Sequence, residues 1–398
     1  MKVLFVDLLL KYINPTRNLI PQLFSTMETR FFGPGYVSSD CLSAGLASFI
    51  EKNGPFDVVV VSEHIAFSKI NNFVNTYQAF RKNYAIEFPK TELRETEKLF
   101  EAVKKLNICK VIITLESDYY NFTPGHISVV DNYFDFVIGW GEQFVSPLEN
   151  NSEGSVDGFV ISANDNWYEF SRRAAFKIIP LAHFVSENEF DYTAISNREV
   201  DFCVPGAKYV ARKEARVKLL LEKCSVVKNR SWLFIKAIRA IGFKPFSWHW
   251  FIAHYNKCFR DDIRRSRITY TCGSTLAYPV RKYFEIPALG SVLICKPCNG
   301  FEALGFKDGI NAVACEPKDL PGAGLCLLKD ELRAQKIADA GRQLVATRHT
   351  VKIRANQLEK ALISALEGRW AGALWRNGNM EALPMSAVQQ GIYDKLNK

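Results

Sequence analysis

Short apolar runs alternate with amphipathic stretches along most of this chain. Val3 to Leu8 reads as a buried strand, and Asp40 to Glu51 as a helix with Asp40 in the N-cap position. Phe56 to Val61 is an apolar run of strand length. Glu92 to Leu106 is a charged amphipathic helix, and Val111 to Thr114 and Phe136 to Gly139 are two further strands. Apolar strands separated by helices predict a parallel sheet covered on both faces. The rhythm breaks over 145–165, where Pro147, Asn150, Asn151 and Gly154 predict a surface loop. A connector from Lys177 to Leu181 and a polar stretch to Glu199 follow.

The rhythm then restarts. Val200 to Val204 reads as a strand, Val210 to Glu222 as a basic helix, and about 230 to 260 as a helix-rich stretch with many Trp and Phe. Arg267 to Thr271, Ser291 to Cys295 and Ala312 to Cys315 read as strands. Pro279 to Leu289, Lys329 to Thr347 and Val351 to Leu366 read as helices. The pattern is that of two doubly wound α/β domains in series: 1–170, a linker over 171–199, 200–369, and a tail over 370–398. Two such sheets face to face make an interdomain cleft, and ligands bind at the carboxyl ends of their strands.

Composition changes this picture little. The 398 residues are 48% apolar and 23% charged, which suits two globular cores. The net charge of +9 is spread along the sequence in short clusters such as Arg172-Arg173 and Arg264-Arg265. It suits an anionic partner, with nucleotide diphosphates, nucleic acid and an acidic membrane surface all open. Ten cysteines, several in apolar runs, read as reduced buried thiols and predict a cytoplasmic chain. Cys295-x-x-Cys298 has no second ligand pair at zinc spacing. Asp7 interrupts the first apolar run, so that run reads as a strand rather than a signal peptide. No apolar stretch reaches the length of a membrane span.

The most informative block runs from Arg281 to Gly309. It is a helix carrying Arg281, Lys282 and Glu285, a turn at Gly290, a buried strand to Cys295, and a loop through Gly300 and Gly305. A helix start after a strand holds phosphate with its free amides, and neighbouring cations add charge-assisted bonds. A carboxylate one turn on suits ribose hydroxyls; the structural alternative is an amphipathic helix with solvated charges.

This block resembles the C-terminal domain of GT-B glycosyltransferases, especially the spore-maturation-protein-like glycosyltransferases. The matching residues are Arg281, Phe284, Glu285, Gly290, Asp308-Gly309 and Ala340-Gly341-Arg342, continued by Arg354 and Leu358. Asp201 to Gly206 followed by Arg212 resembles the strand, turn and basic helix that open the donor domain. Phe31 to Tyr36, with Gly33 and Gly35, resembles a loop facing the cleft. Leu115 to Asp118 resembles the strand end that carries an acidic residue there. The resemblance implies a GT-B fold, with two Rossmann-like domains facing a cleft and a tail that returns to the first. It also implies a nucleotide-sugar donor held by Gly206, Arg212, Arg281, Lys282 and Glu285. Many retaining members carry two glutamates across this helix; Glu285 matches the second, and the first falls at Ala277. Retaining and inverting courses therefore both stay open.

Asp118 is the expected catalytic base, at a strand end near the acceptor hydroxyl, with Glu116 and His126 as rivals and a turn cap as the structural alternative. His64 and His183 have weaker claims. The aromatics from Phe243 to Phe259 suit a stacking surface or a core. The implied acceptor is a glycan or glycoconjugate, with peripheral contact at the inner membrane surface. Neither cofactor, metal nor nucleic-acid partner is expected. The competing readings are a GT-B nucleotide-sugar epimerase and a nucleotide- or nucleic-acid-binding scaffold. The donor-site expectation requires Glu285 to be open to the cleft rather than shut against the core.

Overall fold

The structure is a computed structural model and describes residues 1–9, 15–71, 90–114, 122–146, 153–156, 159–162, 165–206, 209–242, 249–274 and 277–384. The apolar runs become two parallel sheets. The first contains β1 (Lys2–Val6), β2 (Glu28–Phe32), β3 (Val58–Ser62), β4 (Cys109–Ile113) and β5 (Phe136–Gly139). An antiparallel hairpin of β6 (Glu153–Val156) and β7 (Phe159–Ser162) follows, within the stretch expected to be a loop. Then β8 (Ile178–Pro180) returns to the edge of the first sheet, pairing with β5. That strand lies in the segment read as a connector; three residues ending in proline give too short a signal to recognise.

The second sheet is built from β9 (Val200–Cys203), β10 (Ser266–Thr271), β11 (Val292–Cys295) and β12 (Val313–Ala314). A last hairpin joins β13 (Ala373–Arg376) to β14 (Asn379–Ala382). The strand orders are β2-β1-β3-β4-β5-β8 and β12-β11-β10-β9. Val226 bridges Phe202 on the free side of β9, so the chain leaves β9 in one direction and returns to β10 on the other. Both sheets thus reverse direction next to their first strand, between β1 and β3 and between β9 and β10. All five residues of β3 are buried, as a strand covered on both faces requires.

Helix boundaries follow local capping. The helix expected from Asp40 runs over Ser39–Asn53, and Ser38 caps it by accepting the Cys41 amide. Helix Val351–Leu366 starts at Thr350, whose side chain accepts the Ile353 amide. All ten cysteines are free thiols. Among the described residues no helix is long and apolar enough to cross a membrane.

Two crossings tie the halves together. Residues 182–186 run beside 348–351: the Val185 amide donates to the His349 carbonyl, and the Val351 amide donates back to Val185. Helix Val351–Leu366 then packs on the first sheet, where Leu358 and Leu362 share a core with Val3, Phe5 and Val60. The return to the first domain therefore begins at Val351, earlier than the 370–398 tail read from the sequence. Trp375 of β13 closes it, donating its indole N–H to the Pro180 carbonyl at 3.0 Å.

Arg354 sits where these segments meet and is completely buried. Its guanidinium donates to the carbonyls of Ala182 (3.2 Å), Arg348 (2.8 Å) and His183 (3.4 Å) and lies 4.4 Å from the Trp375 ring. It also donates to Nδ1 of His349 at 2.5 Å, which leaves the His349 proton on Nε2 for the Leu304 carbonyl at 2.8 Å. Burial lowers the Arg354 pKa to about 9, still charged at neutral pH. Arg354→Met removes the donors while roughly keeping the side-chain bulk. It should lower unfolding stability by about 3 kcal/mol, since buried carbonyls lose their partners. A denaturant melt within 1 kcal/mol of the parent (a fivefold change in equilibrium, roughly) would contradict this role.

Candidate functional site

The carboxyl edges of the two sheets face each other. Trp140, just after β5, meets Tyr278, beyond β10, with ring centroids 5.3 Å apart. Asn299, beyond β11, donates to Ser146 at 3.1 Å. Each direction reversal is thus aimed at the other domain, the arrangement in which open α/β sheets bind ligands.

On the second sheet, Gly206 follows β9 in a left-handed conformation, with φ +88°. A Cβ there would stand 2.7 Å from Cε and 3.1 Å from Nζ of Lys282, and 3.3 Å from the Arg212 guanidinium. Three of the five expected donor residues, Gly206, Arg212 and Lys282, therefore come together. Arg212 opens helix Val210–Leu221 and reaches across the reversal to donate to the Cys272 carbonyl at 3.2 Å. It is buried. Lys282 keeps partial exposure and lies 5.5 Å from the Phe259 ring.

The other two expected donor residues, Arg281 and Glu285, lie on the same helix as Lys282. Arg281 donates to Glu189 of the interdomain segment at 2.5 Å and faces Glu285 one turn along at 3.4 Å. Glu285 is 8% exposed, and burial raises its pKa despite the Arg281 charge. As the domains stand, Glu285 is shut in and serves the domain junction. Ala277, where the resemblance would put a first glutamate, has φ +54°.

On the first sheet the reversal holds Asp7 and Glu63, which were not expected as site residues, beside His64, which had a weaker claim. Asp7 follows β1, and Glu63 and His64 follow β3. Arg17 pairs with Glu63 and lies 3.5 Å from Nε2 of His64. Burial pushes the Asp7 pKa up to about 6, opposed by the Leu8 amide that donates to it and by the Arg17 charge. Gly33 closes over this site: a Cβ there would lie 2.0 Å from the Asp7 carbonyl oxygen, so only glycine fits. Gly35 is the exposed tip of the same loop. His183 accepts or donates with Thr16 at 3.2 Å. Burial keeps it neutral, reinforced by the charges of Arg281, Lys282, Arg17 and Arg354. Four cations thus set a positive field where the two edges meet.

Two expectations fall elsewhere. Asp118 and Glu116 lie outside the described residues. His126 is a structural residue and not a cleft group. Its Nδ1 accepts the Thr123 amide at 3.1 Å, and its Nε2 meets Asn71 at 3.2 Å. It packs 4.5 Å from the Phe67 ring and completes the cap of helix Pro124–Tyr133. Of the aromatic stretch, Phe251 is core and Trp250 is exposed. A cavity of about 650 Å³ opens at the opposite edge of the first sheet, by Cys109 and Phe136.

Residues 252–360, which include Lys282, match the family described as glycosyl transferase-like. Over the whole chain the fold is similar to that of Anabaena HepE, crystallised with UDP, with a TM-score of 0.50 at 11% identity. The match covers 92% of this chain and 100% of HepE. The chain has a GT-B fold, and its residues 252–360 are glycosyl transferase-like. Further similar structures are sucrose-phosphate synthase from Thermosynechococcus elongatus (TM-score 0.49, 9% identity, 92% and 100% covered) and a glycosyltransferase from Rickettsia africae (0.48, 12%, 92% and 98%). No curated protein sequence matches this chain.

The environment of Asp7 makes a pH prediction. Its folded pKa, about 6, lies above the ordinary 3.8, so the native state binds the proton more tightly than the unfolded chain. The ionised form therefore costs stability above pH 6, and that cost fades as pH falls toward 4. Asp7→Asn should raise unfolding stability at pH 8 by up to about 3 kcal/mol and change it little at pH 4. Equal effects at both pH values, measured by denaturant titration, would contradict the buried-carboxylate account.

Proposed function

We propose that this glycosyltransferase moves a sugar from a nucleotide-sugar donor to a glycan, lipid-linked or protein acceptor in surface polysaccharide or glycoconjugate synthesis. The observation that carries the donor assignment is the convergence of Gly206, Arg212 and Lys282 at the reversal of the second sheet. HepE, of similar fold, was crystallised with UDP, which supports a nucleotide at such a cleft. The side chain of Lys282, the Arg212 charge and the first amides of helix Val210–Leu221 then meet the diphosphate. As the glycosidic bond breaks, the departing diphosphate gains negative charge, so fixed cations favour the transition state over the ground state.

On the acceptor side a carboxylate takes the hydroxyl proton in an inverting course. Asp118 keeps that role in the proposal, and Asp7 joins it, since a pKa near neutrality suits a general base. If Asp7 is the base, Asp7→Asn is both more stable and slower. No metal enters the proposed chemistry. Turnover should persist in a chelator, and complete loss restored by manganese would count against the assignment.

The decisive measurement is calorimetric titration with nucleoside diphosphates, UDP first. Lys282→Ala should weaken binding by about 1.5–3 kcal/mol, the usual loss for a charged hydrogen bond, while the melting temperature holds. Parent-like affinity in Lys282→Ala would move the donor site elsewhere. Product analysis with and without an acceptor then separates transfer from rearrangement of the donor alone.

A further inference from the structure

Helix Val210–Leu221 and helix Arg230–Ala240 flank a groove of about 400 Å³ on the second domain. Each buries only a narrow stripe: Arg212, Ala215 and Leu219 on the first, Ser231, Ile235 and Ile238 on the second. The groove is lined by Lys213, Lys228 and Lys236 together with Val217, Leu220 and Leu233. Around it stand Val210, Leu221 and Ile241, which are 78%, 69% and 66% exposed.

The charge here is not spread as the linear sequence suggested. Residues 209–242 hold nine Lys or Arg against two carboxylates, Glu214 and Glu222, a net +7 of the chain's +9. Seven of the seventeen large apolar side chains exposed among the described residues fall between Val210 and Trp250. Nucleic acid would match the cations but leave the aliphatic side chains in water. An anionic bilayer matches both: aliphatic residues enter the boundary between headgroups and acyl chains, while lysines meet lipid phosphates.

We propose that this face docks the protein on an anionic lipid bilayer. The inference goes beyond sugar transfer and stands whether or not that reading holds. The groove also touches Gly206 and Arg212, so docking holds the candidate donor site at the bilayer. For the acceptor, this rests on the sugar-transfer reading and selects the lipid-linked class among the three.

Co-sedimentation of the full chain with phosphatidylcholine vesicles, with and without phosphatidylglycerol, tests the proposal. The protein should pellet with the anionic vesicles, stay in solution with the neutral ones, and release as salt rises. The triple variant Lys213→Ala, Lys228→Ala, Lys236→Ala should lose partition on the order of a hundredfold, from about one kcal/mol per basic residue at the surface. Leu220→Ser with Leu221→Ser should reduce it about tenfold with the charge intact, as expected for losing two inserted side chains. Melting temperature and UDP titration of both variants should match the parent, which separates a failed docking surface from a failed donor site. Absence of pelleting, equal pelleting on neutral vesicles, or a triple variant that pellets like the parent each overturns the proposal. So does a dimer in solution that Leu220→Ser with Leu221→Ser abolishes and that binds no vesicle.

Discussion

The buried guanidinium of Arg354 holds the two halves of this GT-B fold in register. It has carbonyl acceptors on both crossings, at Ala182 and His183 on one and at Arg348 on the other. An isolated buried charge is costly, and here carbonyl dipoles and the Trp375 face offset that cost. The same contact fixes His349 in one tautomer and brings it to Leu304 of the second domain. A lysine would supply a point charge without this planar reach. The cleft geometry depends on this contact, since both crossings pass beside it.

From that junction the site follows by topology. Each sheet reverses next to its first strand, and each reversal opens toward the other domain. The second offers a glycine, an arginine and a lysine; the first offers a carboxylate, an arginine–glutamate pair and a neutral histidine. A cationic cluster thus lies on one side of the junction, and a carboxylate with a neutral histidine on the other.

Much of this was legible in the sequence, for identifiable reasons. Strands such as Val58–Ser62 announce themselves because a strand buried on both faces must be apolar throughout. Gly206 and Arg212 were legible as a turn and a basic helix after a strand, whereas their approach to Lys282 appears only in the fold. Other features depend on distance in space rather than along the chain. Asp7 looked like an interruption of an apolar run; only the strand order makes it the floor of a crevice. His126 was a rival for the catalytic base, yet its side chain turns back to cap its own helix. Glu285 kept the spacing of a ribose ligand while its side chain found Arg281, whose other partner lies in the interdomain segment. The positive charge looked dilute because cations distant along two helices share one groove only after folding.

The packing of helix Val351–Leu366 also bears on the order in which the protein can be made. The first sheet emerges early from the ribosome, but one of its faces is covered by Leu358, Leu362 and Trp370, among the last described residues to be synthesised. Until they arrive, Val3, Phe5 and Val60 lack the cover that completes their core. The domain begun before the other is therefore completed only after it. A nascent chain must carry an apolar sheet face through the synthesis of the second domain, and that interval is when it most needs shielding by a chaperone.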